Sequence, residues 1–259
     1  MSRSIADAFS KGKAFIPFIT CGDPTLEISE KLVYAMEDAG ADIIELGIPF
    51  SDPVAEGPAI MAAEERALLG GVTTDKIFDM TERVRDNTDI PLVFMTYANV
   101  VYSYGTEKFC IRAERAGIQG IILPDVPFEE KEEFEKVFAD HGMVLISMIA
   151  PTSGKRIAMI AKEAKGFLYM VPSPGVTEMS GNITADISAM TAGVKGTSKI
   201  PCAVGFEISD PAQARQMAQI SDGVIVGSAI VKLCAEYGEA CVPYVKEFVK
   251  EMKDAIRDL

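Results

Sequence analysis

The sequence predicts a single (β/α)8 TIM barrel with a parallel eight-stranded core, one domain over residues 1–259. Three observations carry that prediction. Short apolar or β-branched runs alternate with amphipathic stretches eight times along the chain. The runs are apolar almost throughout, as strands covered on both faces must be. Eight such units in 259 residues also match the size of a closed barrel, with no linker or composition break dividing the chain.

The expected strands are Ala14–Thr20, Asp42–Leu46, Leu92–Thr96, Gly120–Leu123, Val144–Ile149, Phe167–Val171, Cys202–Val204 and Gly223–Val226. Helical patterns fall between them at Glu27–Ala39, Asp75–Asp86, Glu107–Ala116, Glu129–Asp140, Gly154–Ala164, Ala185–Val194 and Pro211–Gln219. Ile230–Ala235 and Val242–Arg257 complete the series. The rival is a doubly wound open sheet, which usually carries a Gly-rich turn after its first strand. Here that turn reads Cys21-Gly22-Asp23-Pro24, and the barrel is preferred.

Composition narrows the partners. Lys and Arg total 25 against 38 Asp and Glu, a formal charge of −13. That field disfavours nucleic acid and anionic membranes. No apolar run reaches transmembrane length and Met1 to Phe15 does not read as a signal peptide, so a cytoplasmic protein is expected. The five cysteines, Cys21, Cys110, Cys202, Cys234 and Cys241, contain no Cys-x-x-Cys pair and read as reduced, largely buried thiols. The single histidine, His141, precedes Gly142 after a helical run and reads as a helix C-terminal residue. Neither a zinc site nor a Ser-His triad is expected, and no metal. Acid–base chemistry must come from carboxylates, tyrosines or lysines.

The segment from Glu45 to Pro58 is the most informative of the chain. An apolar run delivers Glu45 to the mouth of a buried strand, where an unused charge is costly. Three prolines and two glycines then forbid regular structure, and the loop presents Asp52 and Glu56. Several carboxylates on one stiff platform suit proton transfer at both ends of a breaking bond. An acidic surface loop is the other reading.

In a barrel the loops after the strands share one rim and build the site. Glu45, Tyr97, Asp125, Ile149, Pro172, Ser173, Gly205, Phe206, Gly227 and Ser228 converge there. The set suits a flat apolar ligand with a polar tail, although Tyr97 and Phe206 also fit plain rim packing. Val204-Gly205-Phe206 and Val226-Gly227-Ser228-Ala229-Ile230 stand where such barrels grip phosphate on backbone N–H groups. Ser228 is expected to cap the helix that it opens.

These segments together resemble the tryptophan synthase α subunit family over essentially the whole chain. The resemblance is carried by Pro17 to Pro24, Glu45 to Pro58, Met95 to Asn99 and Pro124 to Pro127. Gly175-Val176-Thr177, Ala203 to Phe206 and Asp222 to Val231 complete it. It implies retro-aldol cleavage of indole-3-glycerol phosphate to indole and glyceraldehyde 3-phosphate, without cofactor. It implies Glu45 as the proton shuttle and Glu56 as the second acid, near the indole N–H. Tyr169 matches the family's active-site tyrosine. Phe18, Ile60, Met95, Ile122 and Phe206 match its indole pocket, and Thr177, Gly205, Gly227 and Ser228 fall in the substrate-binding set. A β subunit partner in an α2β2 heterotetramer is implied, with Pro49, Asp52, Asn99, Asp125 and Pro127 at docking positions.

Three departures accompany the match. Glu56 replaces the family's usual aspartate and reaches about 1.5 Å further. Glu178 and Glu207 stand where the family has phosphate-contacting glycines, and each adds a negative charge beside a dianion. Val171-Pro172-Ser173-Pro174 also differs from the commoner lid sequence, its prolines stiffening the loop. Two other functions therefore stay open. One is a poorly catalytic α-like barrel that mainly activates a β subunit. The other is a barrel that uses a non-phosphorylated or cationic ligand.

Overall fold

The computed structural model describes residues 3–152, 154–171, 181–205 and 207–259, with the backbone alone at 181–183. The chain enters through a short helix, α1 (Ile5–Ala8), closed by a reciprocal Ser4–Asp7 capping box. Strand β1 (Ala14–Thr20) is buried at every position. Helix α2 (Leu26–Asp38) follows, capped by the Thr25 hydroxyl, and leads to β2 (Ile44–Gly47). Two helices then intervene, α3 (Pro58–Leu69) and α4 (Thr74–Arg85), before β3 (Leu92–Met95).

Beyond β3 come α5 (Ala98–Tyr104), α6 (Thr106–Arg115) and β4 (Gly120–Ile122). Helix α7 (Glu132–Asp140) precedes β5 (Val144–Leu145) and β6 (Met148–Ile149). The remaining turns are α8 (Gly154–Glu163), β7 (Leu168–Met170), α9 (Gly181–Lys195) and β8 (Cys202–Gly205). The chain then forms α10 (Pro211–Ile220), β9 (Gly223–Val226), α11 (Ser228–Tyr237) and α12 (Val242–Ile256).

The sheet order is β5-β4-β3-β2-β1-β9-β8-β7-β6, with every pair parallel. Its two ends, β5 and β6, belong to one stretch of chain. The Ile146 amide donates to Ile121 on the β4 side at 2.9 Å, and the Tyr169 amide donates to Ser147 on the β7 side at 3.0 Å. The predicted fifth strand, Val144–Ile149, is thus one connection broken at its centre, and it closes the barrel.

Strand parity sorts the core into two layers. Phe15, Ile19, Ile44, Leu46, Phe94, Ile121, Val204 and Val224 face the helices. Ile16, Val93, Ile122, Ala203 and Ile225 fill the barrel, with Tyr169 and Met95 packed on them.

Several expectations need correction. The segment after Glu45 stays in β2 as far as Gly47 and is irregular only from residue 48 to 57; α3 begins at Pro58, a proline suited to a first helical turn. Neither α3, α5 nor α1 was expected. The helix predicted over Glu129–Asp140 divides into a 3-10 turn at Phe128–Glu130 and then α7. His141 does end α7, where its ring nitrogens meet Glu114 at 2.7 Å and Glu107 at 3.2 Å. All five cysteines are free and buried.

Candidate active site

Glu45 is the second residue of β2, in register with Phe18 of β1 and Val93 of β3. Ile44 and Leu46 on either side of it pack outward, so the alternation of the strand turns Glu45 into the barrel. It is 1% exposed, and neither carboxyl oxygen has a hydrogen-bond partner among the described residues. Burial pushes its pKa up to about 8, and the charge of Glu56 adds to the rise. A neutral carboxylic acid near pH 7 is thereby available inside the barrel.

Tyr169 enters from β7 on the same inward parity and packs in the interior cluster. Its phenol is raised well above its ordinary value, by burial first and then by Glu45 and Glu56. It remains a neutral hydrogen-bonding group. The glycine of β8 makes room for it: a Cβ on Gly205 would lie 2.3 Å from the Tyr169 ring. A methyl group there is excluded unless the ring moves.

Phe18 forms the apolar floor. It packs with Ala63 and Val231, and Ile60 and Met95 join the cluster. Two glycines flank its ring. A Cβ on Gly47 would meet Phe18 at 2.6 Å, and one on Gly227 would meet it at 3.2 Å. Ile122 lies in the neighbouring interior cluster, to which Met95 also belongs. The structure thus brings Phe18, Glu45, Ile60, Met95, Ile122, Tyr169 and Gly205 to one end of the barrel interior.

The loop between β2 and α3 is fastened from outside. The Tyr97 hydroxyl, at the end of β3, donates to the Glu56 carboxylate. It accepts the amides of Val54 and Ala55, both at 3.0 Å, and its ring packs on Phe50 with centroids 5.1 Å apart. Glu56 also takes the Ala55 amide at 3.3 Å. Burial raises the pKa of Glu56, the amides of Glu56 and Ala55 oppose the rise, and Asp125 reinforces it. Tyr97 is therefore a brace for the acid loop and more than rim packing. Its position after β3 flagged the site but not this role.

The docking positions divide. Asp52, Asn99, Asp125 and Pro127 are exposed, whereas Pro49 is buried. Asp125 accepts the Ala98 amide with both oxygens at 3.1 Å, satisfying the first turn of α5. Asp52 takes the Ser51 hydroxyl at 2.5 Å.

On the phosphate side, Ser228 is not the cap that was expected. Gly227 holds the N-cap position of α11 with no side-chain cap bond, and Ser228 is the first helical residue. Its hydroxyl is left for other partners. Thr177, Glu178 and Phe206 lie outside the described residues, as do Pro172 and Ser173. Glu207 is exposed and lines a cavity of about 330 Å³ with Ser228 and Lys232. No group of three or more metal-ligating side chains occurs among the described residues, and no described helix is long and apolar enough to cross a membrane.

A further buried acid, Glu64 of α3, is not among the expected site residues. Its signal was present: Ile60, Ala63, Glu64 and Ala67 repeat at the spacing of a helix face. The face went unread because α3 itself was unread.

A barrel with a desolvated carboxylic acid inside, a second acid at its mouth and an apolar floor defines an acid–base enzyme of the (β/α)8 class. Comparison with known proteins makes the class particular. The sequence model of the tryptophan synthase alpha chain family matches residues 6–257. The tryptophan synthase alpha chain of Lacticaseibacillus casei is 44% identical over 256 residues, 99% of this chain and 96% of that one. The crystal structure of the tryptophan synthase alpha chain from Legionella pneumophila superposes with a TM-score of 0.89 at 34% identity, covering 100% of this chain and 98% of that one. A chain of the Pyrococcus furiosus tryptophan synthase complex gives 0.86 at 30% identity, over 94% and 99% of the respective chains. The chain belongs to the tryptophan synthase alpha chain family, a family of lyases.

Proposed function

We propose that this chain cleaves indole-3-glycerol phosphate to indole and glyceraldehyde 3-phosphate by a retro-aldol reaction, with Glu45 moving the protons. The observation that carries the reading is the Glu45 carboxyl, buried inside the barrel with both oxygens unpartnered among the described residues and its pKa pushed up to about 8. Such a group is already protonated at neutral pH. It can deliver a proton to carbon 3 of the indole ring, and the carboxylate it becomes can take the proton of the glycerol hydroxyl next to the breaking bond. The carbon–carbon bond electrons return to the ring as the hydroxyl becomes the aldehyde. One residue thereby serves both ends of the bond.

Glu56 receives the indole N–H and favours the electron-poor ring. Tyr97 holds it from the β3 side. Phe18, Ile60 and Met95 supply the apolar surface for the ring, with Ile122 beside them. The amides near Gly205, Gly227 and Ser228 receive the phosphate, with Thr177 completing the set. Glu207 is exposed to water, where its repulsion of an anion is weak.

Cytoplasmic residence and pairing with a β subunit complete the reading; the Pyrococcus furiosus relative is part of a tryptophan synthase complex by name. Asp52, Asn99, Asp125 and Pro127 present the exposed rim for that partner.

Indole release from indole-3-glycerol phosphate, measured alone and with a β subunit, tests this reading. Release in both conditions, faster with the partner, is expected. No release in either, with stimulation of the partner's serine chemistry, would replace it with the non-catalytic activator.

A further inference from the structure

The buried serine and threonine hydroxyls among the described residues have partners, with one exception. Ser29 donates to the Thr25 carbonyl at 3.0 Å, Thr81 to Ile77 at 2.8 Å, Thr96 to Ile48 at 3.3 Å and Ser221 to Met217 at 2.8 Å. Thr88 donates to the Glu37 carboxylate and Thr191 to the Met170 sulfur. The exception is Thr20, the last residue of β1. It is 2% exposed, and its Oγ1 has no partner among the described residues. A buried hydroxyl left without a partner is costly, and folded chains rarely keep one.

The strand settles where that hydroxyl points. Ile19 and Cys21, on either side of Thr20, pack in the helix-facing layer, whereas Ile16 fills the barrel. Alternation therefore turns Thr20 inward. Thr20 pairs with Gly47, Gly47 with Met95 and Met95 with Ile122, one level of side chains running from β1 to β4. Met95 and Ile122 are the apolar members of that level and Thr20 is the polar one. Gly47 brings no side chain to it, and the Phe18 ring leans there instead, 2.6 Å from where a Cβ on Gly47 would stand. The orphaned hydroxyl thus borders the apolar floor of the site.

Thr20 also lies between the two halves of the chemistry. Glu45 of β2 pairs with Phe18, one inward residue before Thr20. The strand on the other side of β1 is β9, which leads into Gly227 and Ser228. In indole-3-glycerol phosphate the glycerol chain joins the ring to the phosphate. With Glu45 at one end and the Gly227–Ser228 amides at the other, that chain must cross the end of β1. The hydroxyl next to the breaking bond is the first polar group on the way, beside Glu45.

We propose that the Thr20 hydroxyl is a catalytic group of this site, donating a hydrogen bond to the glycerol oxygen whose proton Glu45 removes. The assignment rests on the lyase reading. Thr20 keeps its own proton throughout. The O–H electron pair becomes the second bond of the aldehyde carbonyl, and the carbon–carbon pair returns to the ring. Negative charge develops on that oxygen as its proton leaves, and a donor fixed in a water-poor interior stabilises it most at that moment.

Two variants test the assignment. Thr20→Val keeps the shape and removes the hydroxyl; Thr20→Ser keeps the hydroxyl and removes the methyl group. In indole release, Thr20→Val should lose about a hundredfold in kcat with KM changed less than about threefold. Thr20→Ser should keep kcat within about tenfold of wild type. Since the hydroxyl has no partner to lose in the free chain, Thr20→Val should melt at or above the wild-type temperature. Indole-3-propyl phosphate, an analogue with no glycerol hydroxyl, should bind wild type and Thr20→Val equally.

A Thr20→Val kcat within about tenfold of wild type would overturn the assignment. So would a Thr20→Ser loss as large as that of Thr20→Val. A lowered melting temperature or weakened analogue binding in Thr20→Val would show a structural role and overturn it as well. A wild-type chain that releases no indole would sink the lyase reading together with this assignment, whereas release unaffected by Thr20→Val sinks the assignment alone.

Discussion

The Tyr97 hydroxyl donates to the Glu56 carboxylate while accepting the amides of Val54 and Ala55 at 3.0 Å, so one phenol at the end of β3 fixes the acid loop that follows β2. The loop has no regular structure of its own before α3. Its geometry is borrowed from a neighbouring strand, which is how an irregular segment comes to hold a carboxylate in place.

Tyr97→Phe should therefore loosen the loop without emptying the core, because the ring and its contact with Phe50 remain. Displacement of the second acid by about 1 Å would lower kcat/KM for indole release by about a hundredfold. Steady-state kinetics on the variant checks this. A loss of less than threefold would show that Glu56 holds its place without the phenol.

Activity should fall with rising pH through about 8, where Glu45 loses the proton it delivers to the ring. The sign follows from the folded value lying above the ordinary carboxyl value of 4.5. Below that value both the folded and the unfolded chain keep the proton. Between 4.5 and about 8 the unfolded chain releases it and the folded chain does not, so Glu45 drains stability as pH rises across that window. Glu45→Gln should accordingly gain more melting temperature at pH 8 than at pH 5. Thermal unfolding at the two pH values measures the difference.

Gly205→Ala should damage turnover through Tyr169, since the new Cβ would lie 2.3 Å from its ring. The paired variant Gly205→Ala/Tyr169→Ala removes the collision. Its loss of activity should be much smaller than the product of the two single losses, a coupling that a double-mutant cycle reads out. Independent effects would show that the ring moves aside freely.

Glu207→Gly should lower the KM for the phosphorylated substrate only modestly. Two unit charges at 4 Å repel by about 1 kcal/mol in water, a factor of about five in binding. Glu207 is exposed, so the water figure applies. A larger fall in KM would mean that the side chain turns toward the phosphate when substrate binds.

Much of the fold was legible because a strand-and-helix alternation needs only apolar runs and their spacing. The place of Glu45 at the mouth of a buried strand followed from the same logic, whereas its inward turn is settled by Ile44 and Leu46 packing outward on either side. What escaped depended on context. Proline at residue 58 signalled a stop when read from the loop, although it opens α3, and with α3 went the buried stripe carrying Glu64. Ser228 matched a cap by residue type, but the chain conformation gave that position to Gly227. Pro49 matched a docking position by motif, and the packing above β2 buried it. The role of Tyr97 was illegible because it rests on amides more than forty positions earlier, which no local pattern reports.

The central claim is that the orphaned, neutral Glu45 carboxyl carries the protons of carbon–carbon cleavage. The most direct test is indole release from indole-3-glycerol phosphate by the wild-type chain and by Glu45→Gln, which matches the carboxyl in size but cannot pass a proton. The account predicts release by the wild type and a loss of at least about a thousandfold in kcat for the variant, with substrate binding retained. Turnover by Glu45→Gln within tenfold of wild type would contradict it.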